Sequence, residues 1–137
     1  MLGTIGFAAA PDQQLWREAL YACQPDKIID TPYGNTPPHS PVSVWLLVPP
    51  RAADLASLAA LLRLYSAPLV VITTQLKPLV RKARSIPALA FLCHPIRAEL
   101  ALWDVLFLAG QRTGGVRVLE APKGLVITRG DARPRRR

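Results

Sequence analysis

The sequence predicts a three-layer α/β fold built on a parallel sheet, and three observations carry that expectation. Short, wholly apolar runs recur between turn or breaker residues, as in VSVWLLV (Val42–Val48), PLVVITT (Pro68–Thr74) and ALAFLCHP (Ala88–Pro95). Segments with helical apolar spacing separate them. Polar groups then gather where the runs end, at Thr73-Thr74 and at His94-Pro95. Strands covered on both faces lose the in-out alternation of a half-exposed sheet, and parallel strands need a crossover between them. Open α/β sheets place their sites at the carboxyl ends of the strands.

Each element has its local reason. Leu2–Ala10 reads as the first strand, and Pro11-Asp12 ends it, with Asp12 expected to cap the following helix. That helix carries Leu15, Trp16, Ala19, Leu20 and Cys23 on one stripe, and Gln24-Pro25-Asp26 breaks it. Lys27–Asp30 is a short second strand. Thr31–Pro41 holds four prolines, each costing about 3 kcal/mol inside a helix, so an extended loop stands where a second helix would be. Val42–Val48 is an apolar, central third strand. Pro49-Pro50 stops it, and Pro50 is placed to begin a helix running to Ala67, with Leu55, Leu58, Ala59 and Leu62 as its stripe.

After the Pro68 strand, the segment Gln75–Ser85 turns Leu76, Leu79, Val80 and Ala83 inward and Lys77, Arg81, Lys82 and Arg84 outward. The Ala88 strand leads into a strongly apolar helix over Arg97–Arg112, with Leu100, Trp103, Asp104, Phe107 and Leu108 at helical spacing. Gly110, Gly114 and Gly115 close it. Val116–Thr128 reads as a hairpin about Pro122-Lys123-Gly124. These elements predict a flavodoxin-like fold: a five-stranded parallel sheet in the order 2-1-3-4-5, its second helix replaced by a proline-rich loop, plus a C-terminal β-hairpin. The expected divisions are a domain over residues 1–113, an appended hairpin over 114–129 and a flexible basic tail over 130–137.

At 137 residues, 50% hydrophobic and 19% charged, the chain has the composition of one globular domain. No run reaches the roughly 18 apolar residues of a membrane span. MLGTIGFAAA lacks the basic region of a signal peptide, so a cytoplasmic location without membrane contact is expected. Two cysteines, Cys23 and Cys93, and two histidines give no metal-ligand spacing, and both thiols are expected to be free. FAAAPDQQ, after the first strand, offers neither GxGxxG nor a P-loop, which argues against a nucleotide- or flavin-binding enzyme. No cofactor or metal is expected. The net charge of +8 is uneven: residues 1–50 carry two basic and four acidic side chains, residues 51–137 fifteen and five.

The Pro68–Pro95 stretch resembles the second half of response-regulator receiver domains. PLVVIT is similar to their fourth strand, with Thr73 at the switch hydroxyl. AFLCHPI is similar to their fifth, with Phe91 at the switch aromatic and His94-Pro95 in place of a lysine-proline pair. The likeness extends over residues 2–112. It implies a phosphoacceptor aspartate where Val48 stands and a metal-binding acidic pair where Ala8 and Ala9 stand, so the acidic chemistry does not carry over. Phosphoryl transfer needs an acceptor carboxylate and a metal-held charge clamp. The resemblance is therefore to a pseudoreceiver, with no catalytic residue expected: His94 has no visible partner, and Cys93 points to the opposite face from it.

Two functions follow as expectations. One is a phosphorylation-independent regulatory or adaptor domain that docks a protein partner or a second copy as a homodimer, with Lys77, Arg81, Lys82, Arg84 and Arg97 on the face that receivers use for such contacts. The other is nucleic-acid binding through the basic helix and the tail arginines Arg129, Arg133, Arg135, Arg136 and Arg137. The hairpin sequence also resembles the strands that open the winged-helix output domain of some response regulators.

Overall fold

A computed structural model of the chain describes residues 2–111, 115–120 and 125–127. The side chain of Arg84, the 122–124 turn and the tail arginines Arg129, Arg133, Arg135, Arg136 and Arg137 lie outside the description. The strands are β1 (Thr4–Ala9), β2 (Lys27–Asp30), β3 (Val44–Val48), β4 (Leu69–Ile72), β5 (Leu89–Cys93), β6 (Arg117–Leu119) and β7 (Leu125–Ile127). The helices are α1 (Trp16–Ala22), α2 (Leu55–Leu62), α3 (Leu76–Val80) and α4 (Pro95–Gly110). All seven strands form one sheet in the order β2-β1-β3-β4-β5-β6-β7. β1 to β6 pair in parallel and β7 returns antiparallel. The fold is flavodoxin-like, with the 2-1-3-4-5 order extended at one edge.

That extension changes one expectation. The C-terminal hairpin, expected as an appendage, joins the main sheet: β6 continues it beside β5, with Phe91, Leu92 and Cys93 opposite Arg117, Val118 and Leu119. α4 lies between them in the chain and packs on the α1 face of the sheet, opposite the face that α2 and α3 cover, so β5-α4-β6 crosses with the opposite hand to β3-α2-β4 and β4-α3-β5.

Each face of the sheet has its own core. Ile5, Phe7, Ala9, Val44, Leu46, Val70, Ile72, Phe91 and Cys93 pack against α1 and α4. Ala8, Trp45, Leu47, Leu69, Val71, Leu89 and Leu92 pack against α2 and α3. The strands of β3, β4 and β5 are buried throughout, as unbroken apolar runs should be.

Helix starts follow capping chemistry more than proline. Asp12 does not cap α1, because a single 3-10 turn over Pro11–Gln13 intervenes and Leu15 takes the cap position. The Asp12 carboxylate instead accepts from the Arg51 backbone N–H at 3.3 Å. α2 does not start at Pro50. Asp54 sets its start, accepting from the Ser57 N–H at 2.9 Å, and the helix is correspondingly short. α3 stops after Val80, and a 3-10 turn over Ala83–Ser85 completes the segment. α4 kinks at Ala101, where φ is −140° and ψ is 28°.

No helix joins β2 to β3, yet that part of the sheet is covered. The Trp45 indole lies across Gly6 of the neighbouring strand, and a Cβ on Gly6 would fall 2.3 Å from it. Tyr65 meets Trp45 edge to face at 5.3 Å between centroids. Tyr33 and Val42, from the two ends of the proline-rich loop, pack on the same cluster. Trp45 and the loop thus take the area a helix would cover. Gly6→Ala is expected to displace the indole and to cost about 1–3 kcal/mol, the usual range for overpacking a close-packed core. Urea unfolding of the variant measures this directly.

Candidate functional site

The carboxyl ends of the strands form a cleft of about 380 Å³. It lies between the β1 loop (Asp12, Gln13, Leu15), α1 (Trp16, Ala19), the β3 loop (Pro49, Pro50, Arg51), the end of β4 (Ile72, Thr73, Thr74) and the start of α4 (Pro95, Ile96, Glu99). This is the crevice between β1 and β3 where the strand order reverses, the usual ligand position of open α/β sheets.

The polar groups around it are mostly committed to holding loops in place. Gln13 donates its side-chain amide to the Pro49 carbonyl at 3.2 Å, and Gln14 donates to Ala9 and Ala10 at 2.8 and 3.2 Å. The buried Thr73 hydroxyl accepts from the Gln75 N–H at 3.0 Å, and Gln75 donates on to the Ala53 carbonyl, also at 3.0 Å. Thr73 is thereby a turn residue that ties β4 to α3. His94 caps α4: its Nδ1 accepts from the Ile96 N–H at 3.2 Å, which leaves the imidazole proton on Nε2. Its backbone N–H donates to Leu119 at 2.8 Å, so His94 also fastens β5 to β6. Pro95 occupies the first turn of α4, where its missing N–H costs nothing.

The remaining positions singled out by the receiver resemblance are apolar and enclosed. Ala8, Ala9 and Val48 are buried in the strands, and Phe91 is buried beneath the Arg117 guanidinium, 5.8 Å from the ring centroid. Carboxylates reach the cleft only from its margin, at Asp12 and Glu99. Among the described residues no three His, Cys, Asp or Glu side chains come together as metal ligands, and no helix is long and apolar enough to cross a membrane. A second concavity of about 390 Å³ lies over the ends of β1 and β2, where Arg17 and Asp30 form an ion pair across it. Arg17 also donates to Gln14 at 2.9 Å. The hydrogen bond that Arg17 donates to the Asp30 carboxylate is the main cause that holds the Arg17 pKa above its usual value.

The cations of the expected docking face are divided by the sheet. Lys77, Arg81 and Lys82 are exposed on the α3 side, whereas Arg97 stands on α4 on the other side, with β6 and β7 covering the edge of β5 between them.

α4 carries two apolar stripes, one inward and one outward. Its buried stripe is Ala98, Leu102, Val105, Leu106 and Ala109. The outward stripe is also apolar: Ile96 is 53% exposed, Leu100 75%, Trp103 40%, Phe107 36% and Leu108 44%. Trp103 and Phe107 stack at 5.1 Å with an interplanar angle of 10°. Leu15, 78% exposed, stands at the cleft margin where α1 meets this stripe, outside the core it was expected to join. A helix apolar all round is expected to be covered on every side. Here one side is open.

Both cysteines are free, as expected. Burial pushes the Cys93 thiol from 9.0 up to about 12, against a smaller lowering by Arg97. Burial, with Tyr33 nearby, pushes Tyr65 from 10.0 up to about 12, and its hydroxyl has no hydrogen-bond partner among the described residues. No protein-family model, curated protein or solved structure matches the chain.

These two groups make stability fall with alkali. Unfolded chains release their protons near the ordinary values while the native state retains them, so stability present below about pH 9 is lost progressively toward pH 12. Chemical denaturation across that window should show the decline, with Cys93→Ala removing its first part. Tyr65→Phe should remove the part above pH 10 without loss at pH 7, since it deletes an unpartnered hydroxyl.

Proposed function

We propose that this chain is a receiver-like docking domain, a pseudoreceiver, that acts through protein–protein contact without phosphorylation and without catalysis. The open apolar stripe of α4 is the observation that carries this reading. Ile96, Leu100 and the stacked Trp103–Phe107 pair present a continuous hydrophobic ridge at one side of a helix whose other side is core. Contiguous exposed apolar surface of this kind marks interaction sites, and a stacked Trp–Phe pair is the kind of rigid anchor that dominates docking energy. Asp104 and Arg97 flank the ridge and would supply its polar rim.

The positions that would run phosphoryl chemistry in a receiver favour the same conclusion. Alanine and valine fill them, and the residual hydroxyl and imidazole are engaged in capping. The reading assigns the domain to regulation, as an adaptor that assembles with itself or with a protein partner inside the cell.

Ile96→Ser combined with Leu100→Ser should leave the melting temperature within a few degrees of the parent, because both side chains are more than half exposed. It should also abolish self-association in sedimentation equilibrium, or stoichiometric co-purification with a partner from the native host. A parent chain that stays monomeric and partnerless would sink the proposal, as would a variant that associates like the parent.

A further inference from the structure

The α4 ridge is complementary to itself when its direction is reversed. From the amino end its apolar residues are aliphatic first, Ile96 and Leu100, and aromatic after, Trp103 and Phe107. Two opposite charges border it. Arg97 and Asp104 stand seven positions apart, about two helical turns, so they share one flank of α4. Neither has an ion-pair partner among the described residues. Glu99 lies on the other flank and lines the cleft. The midpoint between Arg97 and Asp104 falls at Leu100 and Ala101, and Leu100 is the most exposed side chain of the ridge at 75%.

A contact between two identical surfaces about a two-fold axis requires that where one residue meets a second, the second also meets the first. An antiparallel pair of α4 helices satisfies this. An axis at the level of Leu100 and Ala101, perpendicular to both helices, brings the same flank of each copy together with its direction reversed. Arg97 then stands opposite the partner's Asp104, and Asp104 opposite the partner's Arg97. The aliphatic half of each ridge receives the aromatic half of the other, with the partner's Phe107 at the level of Ile96. Ile96 and Leu15 both line the cleft, so Leu15, 78% exposed, stands beside the incoming ring. A parallel pair would instead set Arg97 level with the partner's Arg97 and Asp104 level with the partner's Asp104.

We infer, resting on the reading of this ridge as a docking surface, that its occupant is a second copy of the chain, bound antiparallel through α4 about a two-fold axis at Leu100. Burial of the apolar ridge supplies the attraction. The two symmetric Arg97–Asp104 pairs set direction and register, since charge complementarity across a contact selects the arrangement more than it adds affinity. The contact is narrow. α4 has 16 residues, about 24 Å of helix, and a strip of that length and one helix wide is smaller than the roughly 800 Å² per partner of a standard interface. The dimer is therefore weak, forming and dissociating with concentration.

Sedimentation equilibrium of the full chain over a concentration series, with charge-reversed variants, tests the arrangement. The parent should dimerise reversibly. Arg97→Glu alone and Asp104→Arg alone should each weaken self-association at least about fivefold, because each sets like charges together at two symmetric places. An equimolar mixture of the two variants should associate like the parent, since each supplies the charge that the other lacks, and that recovery also shows both to be folded. Where Ile96→Ser with Leu100→Ser abolishes association, single variants that associate like the parent, or a mixture that does not recover, would overturn the antiparallel pair and leave the ridge a docking surface. A parent monomeric at every concentration, yet held by another protein through the ridge, would overturn the second copy alone. Self-association indifferent to Ile96→Ser/Leu100→Ser would overturn both readings.

Discussion

A parallel sheet is stable only when both of its faces are covered, and this chain meets that requirement where it has no helix to do so. The critical place is the β2–β3 connection. Its four prolines rule out the helix that would otherwise cover β1 and β3. Trp45 solves the problem from within the sheet by lying across Gly6, where the absence of a side chain leaves room for the indole. Tyr65 then packs edge-on against it, and Tyr33 and Val42 close the cluster from the loop. The burial of the Tyr65 hydroxyl without a partner follows from that arrangement, since the aromatic cluster offers it nothing to bond.

The same requirement explains the site. The carboxyl-end cleft is framed by loops whose polar side chains hold backbone groups, as Gln13, Gln14, Gln75 and Thr73 do, and not by groups aimed at a ligand. What the chain leaves unsatisfied lies elsewhere, on the outer side of α4. Its inner side packs against β3, β4 and β5, while its outer side remains apolar and open. A fold that covers so much of its sheet with few, short helices still exposes this ridge, which is why docking is the economical reading of the surface.

Much of the fold was legible in the sequence because the buried strands announce themselves. VWLLV, LVVI and LAFLC are unbroken apolar runs, and their parallel pairing follows from the helical segments between them. The single-turn entry to α1 was not legible, because Asp12 satisfies the local rule for a cap and only the approach of Arg51 from 39 residues away claims its carboxylate. Nor was the docking of the hairpin on β5, which needs the pairing of β6 with Phe91–Cys93 to be seen in space. α4 gives the sharpest lesson. Leu100, Trp103, Phe107 and Leu108 have helical spacing, but so do Ala98, Leu102, Val105, Leu106 and Ala109, and periodicity alone cannot choose between two apolar stripes. Asp104, placed within the first set, was the signal that this stripe faces out.

The three tryptophans report on the three places that matter: Trp16 lines the cleft, Trp45 covers the sheet and Trp103 stands on the α4 ridge. Fluorine NMR of the chain labelled with fluorotryptophan tests the central claim in one experiment. The Trp103 resonance should move as protein concentration rises or a partner is added, while Trp16 should be indifferent to beryllofluoride with magnesium. A Trp16 resonance that shifts saturably with the phosphoryl mimic, with Trp103 solvent-exposed at every concentration and with every partner, would contradict the account.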